Sequence, residues 1–233
     1  SLKIIAKSPD ILIVENLSKF IKTIKLENSR ELSPVFNQVD TLKFAAGGHS
    51  MSGGAAVNAA LLDSSQVLSA IISLNPTVIF EDCDLCNGSE YCICFVPEFV
   101  DNQTVPILII SGEDEVLELT SYDGMLGIDL YENHPATTTK MIYEVENGNH
   151  SSAEFPQMGP ITNLPLNWLK YHLMDSLEIC SDLLGEEPEN ASVFNSTLEC
   201  IAGGTETCIL GDVYVSEGNN SSDPEDYIEI YNS

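Results

Sequence analysis

The chain has 233 residues, of which 43% are apolar, and it carries 36 acidic against 9 basic side chains, a formal net charge of −27. This charge opposes binding to nucleic acid or to an anionic membrane, because both partners need basic patches that meet phosphate. The apolar content excludes a disordered chain and suffices for a sizeable core, and no apolar run is long enough to predict a membrane span.

Predicted strands and helices alternate along the chain. Three- and four-residue spacing of apolar side chains predicts the helices, and short apolar runs predict the strands. The strands are expected over 2–6, 42–46, 67–73, 105–110 and 140–145, and the helices over 9–24, 55–62 and 163–177, with a polar loop over 26–40 and a mixed loop and helix over 117–133. This alternation predicts the α/β class, with a mostly parallel sheet flanked by helices and right-handed crossovers.

The pattern weakens towards the end of the chain. We predict one α/β domain over 1–200, interrupted by a cysteine-rich insertion over 81–97. Residues 201–233 are rich in Gly, Ser, Asn and acids, and we predict an acidic, weakly ordered tail there.

The seven cysteines and eight Asn-x-Ser/Thr sequons indicate the compartment. The sequons favour a secreted glycoprotein, and secretion favours disulfides over free thiols. The sequons begin at Asn16, Asn87, Asn102, Asn149, Asn190, Asn195, Asn219 and Asn220. Four cysteines fall within 83–94, at Cys83, Cys86, Cys92 and Cys94, and their spacing leaves a zinc site open as a weaker alternative.

A glycine-rich segment directly follows the strand predicted over 42–46 and precedes a helix of small residues. It reads GHSMSGG over 48–54. Ser50 has the nucleophile position of a G-x-S-x-G elbow, with Ser52 in place of the second glycine. The backbone N–H of Met51, at the helix start, is the expected donor to an oxyanion.

A serine nucleophile needs a histidine base and an acid that orients it, in the chain order Ser, acid, His. Of the four histidines, His150 lies in a polar loop after the strand predicted over 140–145, where a base can reach the carboxyl ends of a parallel sheet. The turn after 105–110 offers Glu113, Asp114 and Glu115. The distance in sequence from the glycine of this turn favours Glu115 as the acid, and Asp114 remains the alternative.

Five segments carry a family resemblance in their order along the chain. The first lies within 33–41 and includes SPV and VDT, and the others are GHSM at 48–51, VPILIISGE at 105–113, NGNH at 147–150 and LNWLK at 166–170. Together they resemble the secreted α/β-hydrolases that include bacterial cutinases, PET hydrolases and their dienelactone-hydrolase and chlorophyllase-like relatives, and the resemblance extends over residues 8–200.

The resemblance implies the α/β-hydrolase fold, with Ser50, Glu115 and His150 as catalytic triad and Met51 as oxyanion donor. It also implies a disulfide between Cys180 and Cys200. No cofactor or metal is expected. The expected partner is an ester or polyester substrate, and the expected assembly is a monomer.

The chain departs from this family in three respects. Relatives carry further strands and a second oxyanion donor ahead of the position where this chain starts, so we expect residues 1–200 to be a partial, N-terminally truncated hydrolase domain. The family acid is normally Asp rather than Glu. Polyester-degrading relatives place a Trp where this chain has Asn75-Pro76-Thr77, so an aromatic substrate platform is not expected there.

We therefore predict a secreted, extracellular serine hydrolase that cleaves carboxylic esters, with polyesters among the candidate substrates. The alternative is a non-catalytic glycoprotein that keeps the same fold and uses the site for binding.

Overall fold

A five-stranded sheet organises the chain. The computed structural model describes residues 9–62, 67–79, 100, 102–120, 124–153, 163–200, 213–217 and 228–232. The helices are α1 (Pro9–Ser29), α2 (Met51–Leu62), α3 (Glu115–Glu118), α4 (Gly127–Asn133), α5 (Asn163–Met174) and α6 (Cys180–Leu183). The strands are β1 (Phe44–His49), β2 (Leu68–Leu74), β3 (Val78–Ile79), β4 (Ile107–Gly112), β5 (Gly124–Met125), β6 (Lys140–Val145), β7 (Ala191–Ser196), β8 (Val213–Glu217) and β9 (Ile228–Asn232).

The main sheet is mostly parallel, which places several strand ends at one edge. Its strand order is β1-β2-β4-β6-β7. The first four strands in this order are parallel to one another, and β7 pairs antiparallel with β6. Because the parallel strands share a direction, the loops that follow β1, β2, β4 and β6 all leave from the same edge of the sheet.

Helices cover both faces of the sheet, and the two-residue period of the strands explains why β4 is apolar throughout. Ile107 and Ile109 pack on the face covered by α1, α2 and α4, whereas Leu108 and Ile110 pack on the face covered by α5 and α6. All six residues of β4 are buried. A continuous apolar run is what a parallel strand needs when both of its faces are covered. In the described part of the chain, no helix combines the length and the apolar character needed to cross a membrane.

The mixed α/β architecture agrees with the sequence prediction, and the element boundaries differ at several points. Helix α1 continues to Ser29 rather than ending at residue 24. The side chains of its last turns are half-buried or exposed (Leu26 is 69% exposed), so apolar spacing could not reveal these turns. Strand β1 begins at Phe44, and its pairing with β2 continues through two glycines to His49. Helix α5 ends at Met174, because Asp175 has a left-handed φ of 54°.

Five of the described strands were not predicted. The two-residue strands β3 and β5, which pair antiparallel with each other, lie where no strand was expected. The edge strand β7 has half-buried and exposed side chains, so it lacks the apolar run that marked the inner strands. Strands β8 and β9 pair antiparallel inside 201–233, where only a weakly ordered tail was expected. The strand predicted over 2–6 and the insertion over 81–97, with Cys83, Cys86, Cys92 and Cys94, lie outside the described residues, as does Cys208.

A disulfide ties α6 to the segment after β7. It joins Cys180, which is 3% exposed, to Cys200, with their Cα atoms 5.6 Å apart. The pair is the one that the family resemblance implied. Closing a loop across a sequence separation of 20 restricts the unfolded chain, a contribution of about 3 kcal/mol to stability in the chain-entropy treatment.

Candidate active site

Three of the predicted site residues meet at the edge where the parallel strands end. Ser50 directly follows β1, Glu115 lies three residues after β4, and His150 lies five residues after β6. The sequence separates Ser50 from His150 by 100 residues, and the sheet brings their side chains together.

Ser50 occupies a tight turn between β1 and α2. Its φ is 55°, a left-handed value that costs free energy in a residue other than glycine. The turn is held on both sides, because the Ser50 N–H donates to the Leu74 carbonyl at 2.9 Å and the Ser50 carbonyl accepts from the Thr77 N–H at 3.1 Å. At Gly48 a Cβ would lie 2.5 Å from the Ser52 carbonyl group, so only glycine fits this close approach. The sequence pattern of a nucleophile elbow thus folds as a strand–turn–helix with a strained serine.

The imidazole of His150 connects the serine to the acid. Its Nε2 lies 2.8 Å from Ser50 Oγ, and its Nδ1 lies 2.6 Å from Glu115 Oε1. Because a carboxylate can only accept, Nδ1 carries the hydrogen in this arrangement and Nε2 is left to accept the serine proton. The His150 side chain is 20% exposed and that of Glu115 is 2% exposed, so the carboxylate is buried from solvent while the imidazole remains partly accessible.

The structure brings Glu115, and not its neighbour Asp114, to the histidine. Both carboxylate oxygens of Glu115 are engaged, Oε1 with His150 and Oε2 with the Gly112 N–H at 3.1 Å. Asp114 is the residue before α3 and its side chain makes no capping hydrogen bond. Its backbone N–H donates instead to the Gly148 carbonyl at 2.7 Å.

Backbone contacts hold the loop that carries His150. The His150 N–H donates to Glu118 Oε2 at 2.9 Å, and the Asn147 N–H donates to Glu113 Oε2 at 2.9 Å. His49 Nε2 lies 2.9 Å from the His150 carbonyl, which can only accept, so His49 carries a hydrogen on Nε2. The two imidazole rings pack with their centroids 5.2 Å apart.

Asn75 contributes to the site in a way that the sequence did not indicate. It is fully buried and directly follows β2. Its Nδ2 donates to the Asn149 carbonyl at 3.2 Å, and its Oδ1 accepts from the Ala153 N–H at 2.8 Å. The only local signal is an asparagine after a buried strand and before a proline, which indicates a turn and nothing more.

Met51 is the first residue of α2, and its backbone N–H is therefore among the helix N–H groups without an intrahelical acceptor. The Met51 side chain is 42% exposed. An N–H at a helix start beside the serine is the geometry that an oxyanion donor needs.

The site is acidic. Glu113 and Glu118 are exposed beside the His150 loop, and Glu144 lies at the end of β6. Burial is the main cause that raises the pKa of Glu144, and repulsion from Glu113 and Glu115 adds to it, whereas a hydrogen bond from Ser192 acts in the opposite direction. Within the described ranges, no group of three or more His, Cys, Asp or Glu residues is placed to hold a metal ion.

This arrangement can move a proton from a serine hydroxyl to an imidazole whose other nitrogen is held by a buried carboxylate. That is the arrangement needed to activate a serine as a nucleophile. No protein-family model and no curated protein matches the chain. Its function is therefore inferred from the geometry of the site and from the sequence motifs.

Proposed function

We propose that the protein is a serine hydrolase of the α/β-hydrolase fold that cleaves carboxylic esters. The observation that carries the proposal is the continuous hydrogen-bonded chain from Ser50 Oγ through His150 to Glu115, with lengths of 2.8 and 2.6 Å. Its location at the carboxyl edge of a parallel sheet, after an elbow with a positive φ, adds support from the fold.

In the proposed reaction, Ser50 Oγ attacks the ester carbonyl carbon while His150 Nε2 accepts the serine proton. The Glu115 carboxylate stabilises the resulting imidazolium and holds its orientation. The Met51 N–H donates to the oxyanion of the tetrahedral intermediate. His150 then returns the proton to the leaving alcohol, which leaves an acyl group on Ser50.

Hydrolysis of the acyl group completes the cycle, with water as the nucleophile and Ser50 as the leaving group. His150 takes a proton from water, the resulting hydroxide attacks the acyl carbonyl carbon, and the Ser50 oxygen leaves with the proton from His150. The products are a carboxylic acid and an alcohol. Polyesters belong to the candidate substrates on the strength of the sequence resemblance alone.

We further infer that the protein works outside the cell. The Cys180–Cys200 disulfide is typical of an oxidising compartment. The sequon asparagines Asn102, Asn149 and Asn195 are exposed, as glycosylation requires.

A fluorophosphonate probe and a p-nitrophenyl ester test the proposal. We expect the purified protein to be labelled and to release p-nitrophenol, and we expect Ser50→Ala to abolish both. Ser181→Ala is the matched control, because Ser181 is an exposed serine on α6, away from the site. Equal labelling of wild type and Ser50→Ala would show that Ser50 is not the nucleophile.

A non-catalytic binding protein with the same fold is the second candidate. It is motivated by Ser52 in place of the elbow glycine and by a Glu in place of the usual Asp. Ester hydrolysis that disappears in His150→Gln excludes it, whereas a folded protein without labelling or turnover favours it.

A further inference from the structure

We propose that Asn75 is a positioning residue that sets the location of His150 relative to Ser50. Its meaning for catalysis rests on the function proposed above. The inference concerns a single buried side chain that connects β2 to both ends of the loop that carries the base.

The amide of Asn75 spans the loop 149–153. It donates to the carbonyl of Asn149, the residue before His150, and it accepts from the N–H of Ala153, three residues after His150. The loop is also bonded within itself, since the Ser152 N–H and hydroxyl both donate to the Asn149 carbonyl, at 3.0 and 2.6 Å. Asn75 therefore attaches both ends of this loop to the end of β2.

The same segment of chain also holds the nucleophile. Leu74, one residue before Asn75, accepts from the Ser50 N–H at 2.9 Å, and Thr77, two residues after it, donates to the Ser50 carbonyl at 3.1 Å. The Asn75 N–H itself donates to the Ile110 carbonyl of β4 at 2.6 Å. Residues 74–77 thus contact the serine turn, the base loop and the strand that leads to Glu115.

Asparagine suits this position for two reasons. Its side chain presents one donor and one acceptor from the same planar group, which is what the two loop contacts require. Its φ is 40°, a left-handed value that asparagine tolerates better than most residues. Aspartate has the same shape but, when ionised, can only accept, so it would direct a buried negative charge at the Asn149 carbonyl.

The chain offers a matched control. Gln103 is 1% exposed, and its amide donates to the Val57 carbonyl at 3.2 Å and accepts from the Val105 N–H at 2.9 Å. Like Asn75, it donates one hydrogen bond and accepts another, but it lies just before β4 begins, at the end of the strands opposite to the triad. Gln103→Glu therefore reproduces the loss of a buried donor without touching the loop of His150.

The experiment compares wild type, Asn75→Asp, Asn75→Gly and Gln103→Glu. The fluorophosphonate labelling rate is measured per folded molecule from pH 6 to 9, with the folded fraction obtained from thermal melts. We expect Asn75→Gly to be labelled about 10²-fold more slowly at every pH, because a shift of about 1 Å in a reacting group costs this much. We expect the deficit of Asn75→Asp to grow with pH, because burial at this fully buried position raises the pKa of the introduced carboxyl and only its protonated form supplies a donor. Gln103→Glu should melt at a lower temperature and be labelled at the wild-type rate.

A second readout does not depend on activity. In ¹H NMR, the Nδ1 proton of His150 that is shared with Glu115 should give a strongly deshielded resonance in wild type and Gln103→Glu, and it should be lost in Asn75→Gly. Wild-type labelling rates and an intact resonance in both Asn75 variants would overturn the inference. If the wild type is not labelled but the resonance follows this pattern, the proposed function fails and the positioning role stands. If wild type shows neither labelling nor the resonance, both fail.

Discussion

The backbone of Gly112 lies against the backbone of Gly148, so closely that a Cβ atom at Gly112 would overlap the Gly148 carbonyl group. Gly112 ends β4, and Gly148 belongs to the loop after β6. The turn that carries the acid and the loop that carries the base are therefore packed main chain to main chain. This contact explains how Glu115 and His150 come within 2.6 Å of each other across 35 residues of sequence.

The first prediction concerns this contact. Gly112→Ala should lower the free energy of unfolding by about 1–3 kcal/mol, the usual cost of forcing extra atoms into a packed interior. It should also slow ester hydrolysis, because the acid turn and the base loop must separate. Urea unfolding and p-nitrophenyl ester turnover measure the two effects. Gly185→Ala is the control, since a Cβ there would meet its nearest atom at 3.6 Å. Equal stability and turnover in Gly112→Ala and wild type would contradict the packing described here.

The second prediction distinguishes the two candidate acids. Glu115→Gln should lower kcat by up to about 10⁴-fold, because a neutral amide neither stabilises the imidazolium nor fixes the required tautomer. Asp114→Asn should leave kcat within about threefold of wild type, since the Asp114 side chain makes no capping hydrogen bond and the contact with Gly148 uses its backbone. Steady-state kinetics on a soluble ester measure both variants. A larger loss in Asp114→Asn than in Glu115→Gln would reverse the assignment of the acid.

The third prediction concerns substrate charge. Residues 44–153 contain one basic residue, Lys140, and it is 6% exposed, whereas Glu113 and Glu118 are exposed beside His150. Glu113 and Glu118 thus form an acidic rim beside the base. A neutral p-nitrophenyl ester should therefore be hydrolysed roughly tenfold faster at low salt than one of similar length with a terminal carboxylate, because this acidic rim repels the anion.

Two controls accompany this comparison. The preference should shrink at about 0.5 M salt, where exposed charges are screened over a few ångströms. It should also shrink in Glu118→Gln, which removes the charge and keeps an oxygen that can accept from the His150 N–H. A ratio of rates that does not change with salt would show that the acidic rim has no part in selection.

The fourth prediction concerns acid stability. His134 is 2% exposed, its Nδ1 donates to the Leu130 carbonyl at 2.6 Å, and its buried Nε2 has no hydrogen-bond partner among the described residues. Burial lowers the pKa of His134 to about 4, and the nearby Lys140 ammonium acts in the same direction. The unfolded chain, with a His pKa near 6.5, binds more protons than the folded protein between these values, so stability falls as pH decreases from about 6.5 to 4.

Guanidinium unfolding at several pH values measures this effect. His134 should contribute at most about 3 kcal/mol to the difference in unfolding free energy between pH 6.5 and pH 4. His134→Phe should reduce the slope of unfolding free energy against pH, whatever its effect on absolute stability. His172, whose pKa is also lowered to about 4 by burial, should keep part of the slope. An identical slope in His134→Phe and wild type would mean that His134 does not titrate in this window.

The fifth prediction concerns Asn149. This exposed sequon asparagine directly precedes His150, and its Oδ1 accepts from the Ser151 N–H at 2.9 Å. A glycan there would stand beside the base and obstruct the approach to Ser50, so Asn149 should be unmodified in active protein from a eukaryotic secretory host. Glycopeptide mass spectrometry tests this, with the exposed Asn195 as a reference site. Full glycan occupancy at Asn149 in an active sample would contradict the placement of the base.

Some parts of the fold and site could be read from local sequence because local physics determines them. The inner strand β4 is buried throughout and β6 has a buried apolar centre over 141–143, because both faces of the sheet are covered, and each strand was predicted within two residues. Ser50 could be located because a tight turn between a strand and a helix excludes large neighbours, and the small residues of 48–54 show this directly. The edge strand β7 could not be predicted, because a half-exposed strand accepts many types of side chain.

Other parts depended on contacts between distant segments. The sequence reduced the acid to Glu115 with Asp114 as the alternative, and the direction in which the chain turns after Gly112 decided between them. Asn75 was not recognised, because its two side-chain partners lie 74 and 78 residues further along the chain. By itself, the sequence determined an acidic α/β protein and the positions of its serine and histidine, since residue type and periodicity report on local structure. Only the tertiary structure decided which carboxylate meets the histidine and which buried amide holds its loop. A hydrogen bond requires its two atoms to be placed to within a few tenths of an ångström, and local sequence does not determine the distance between segments that lie far apart in the chain.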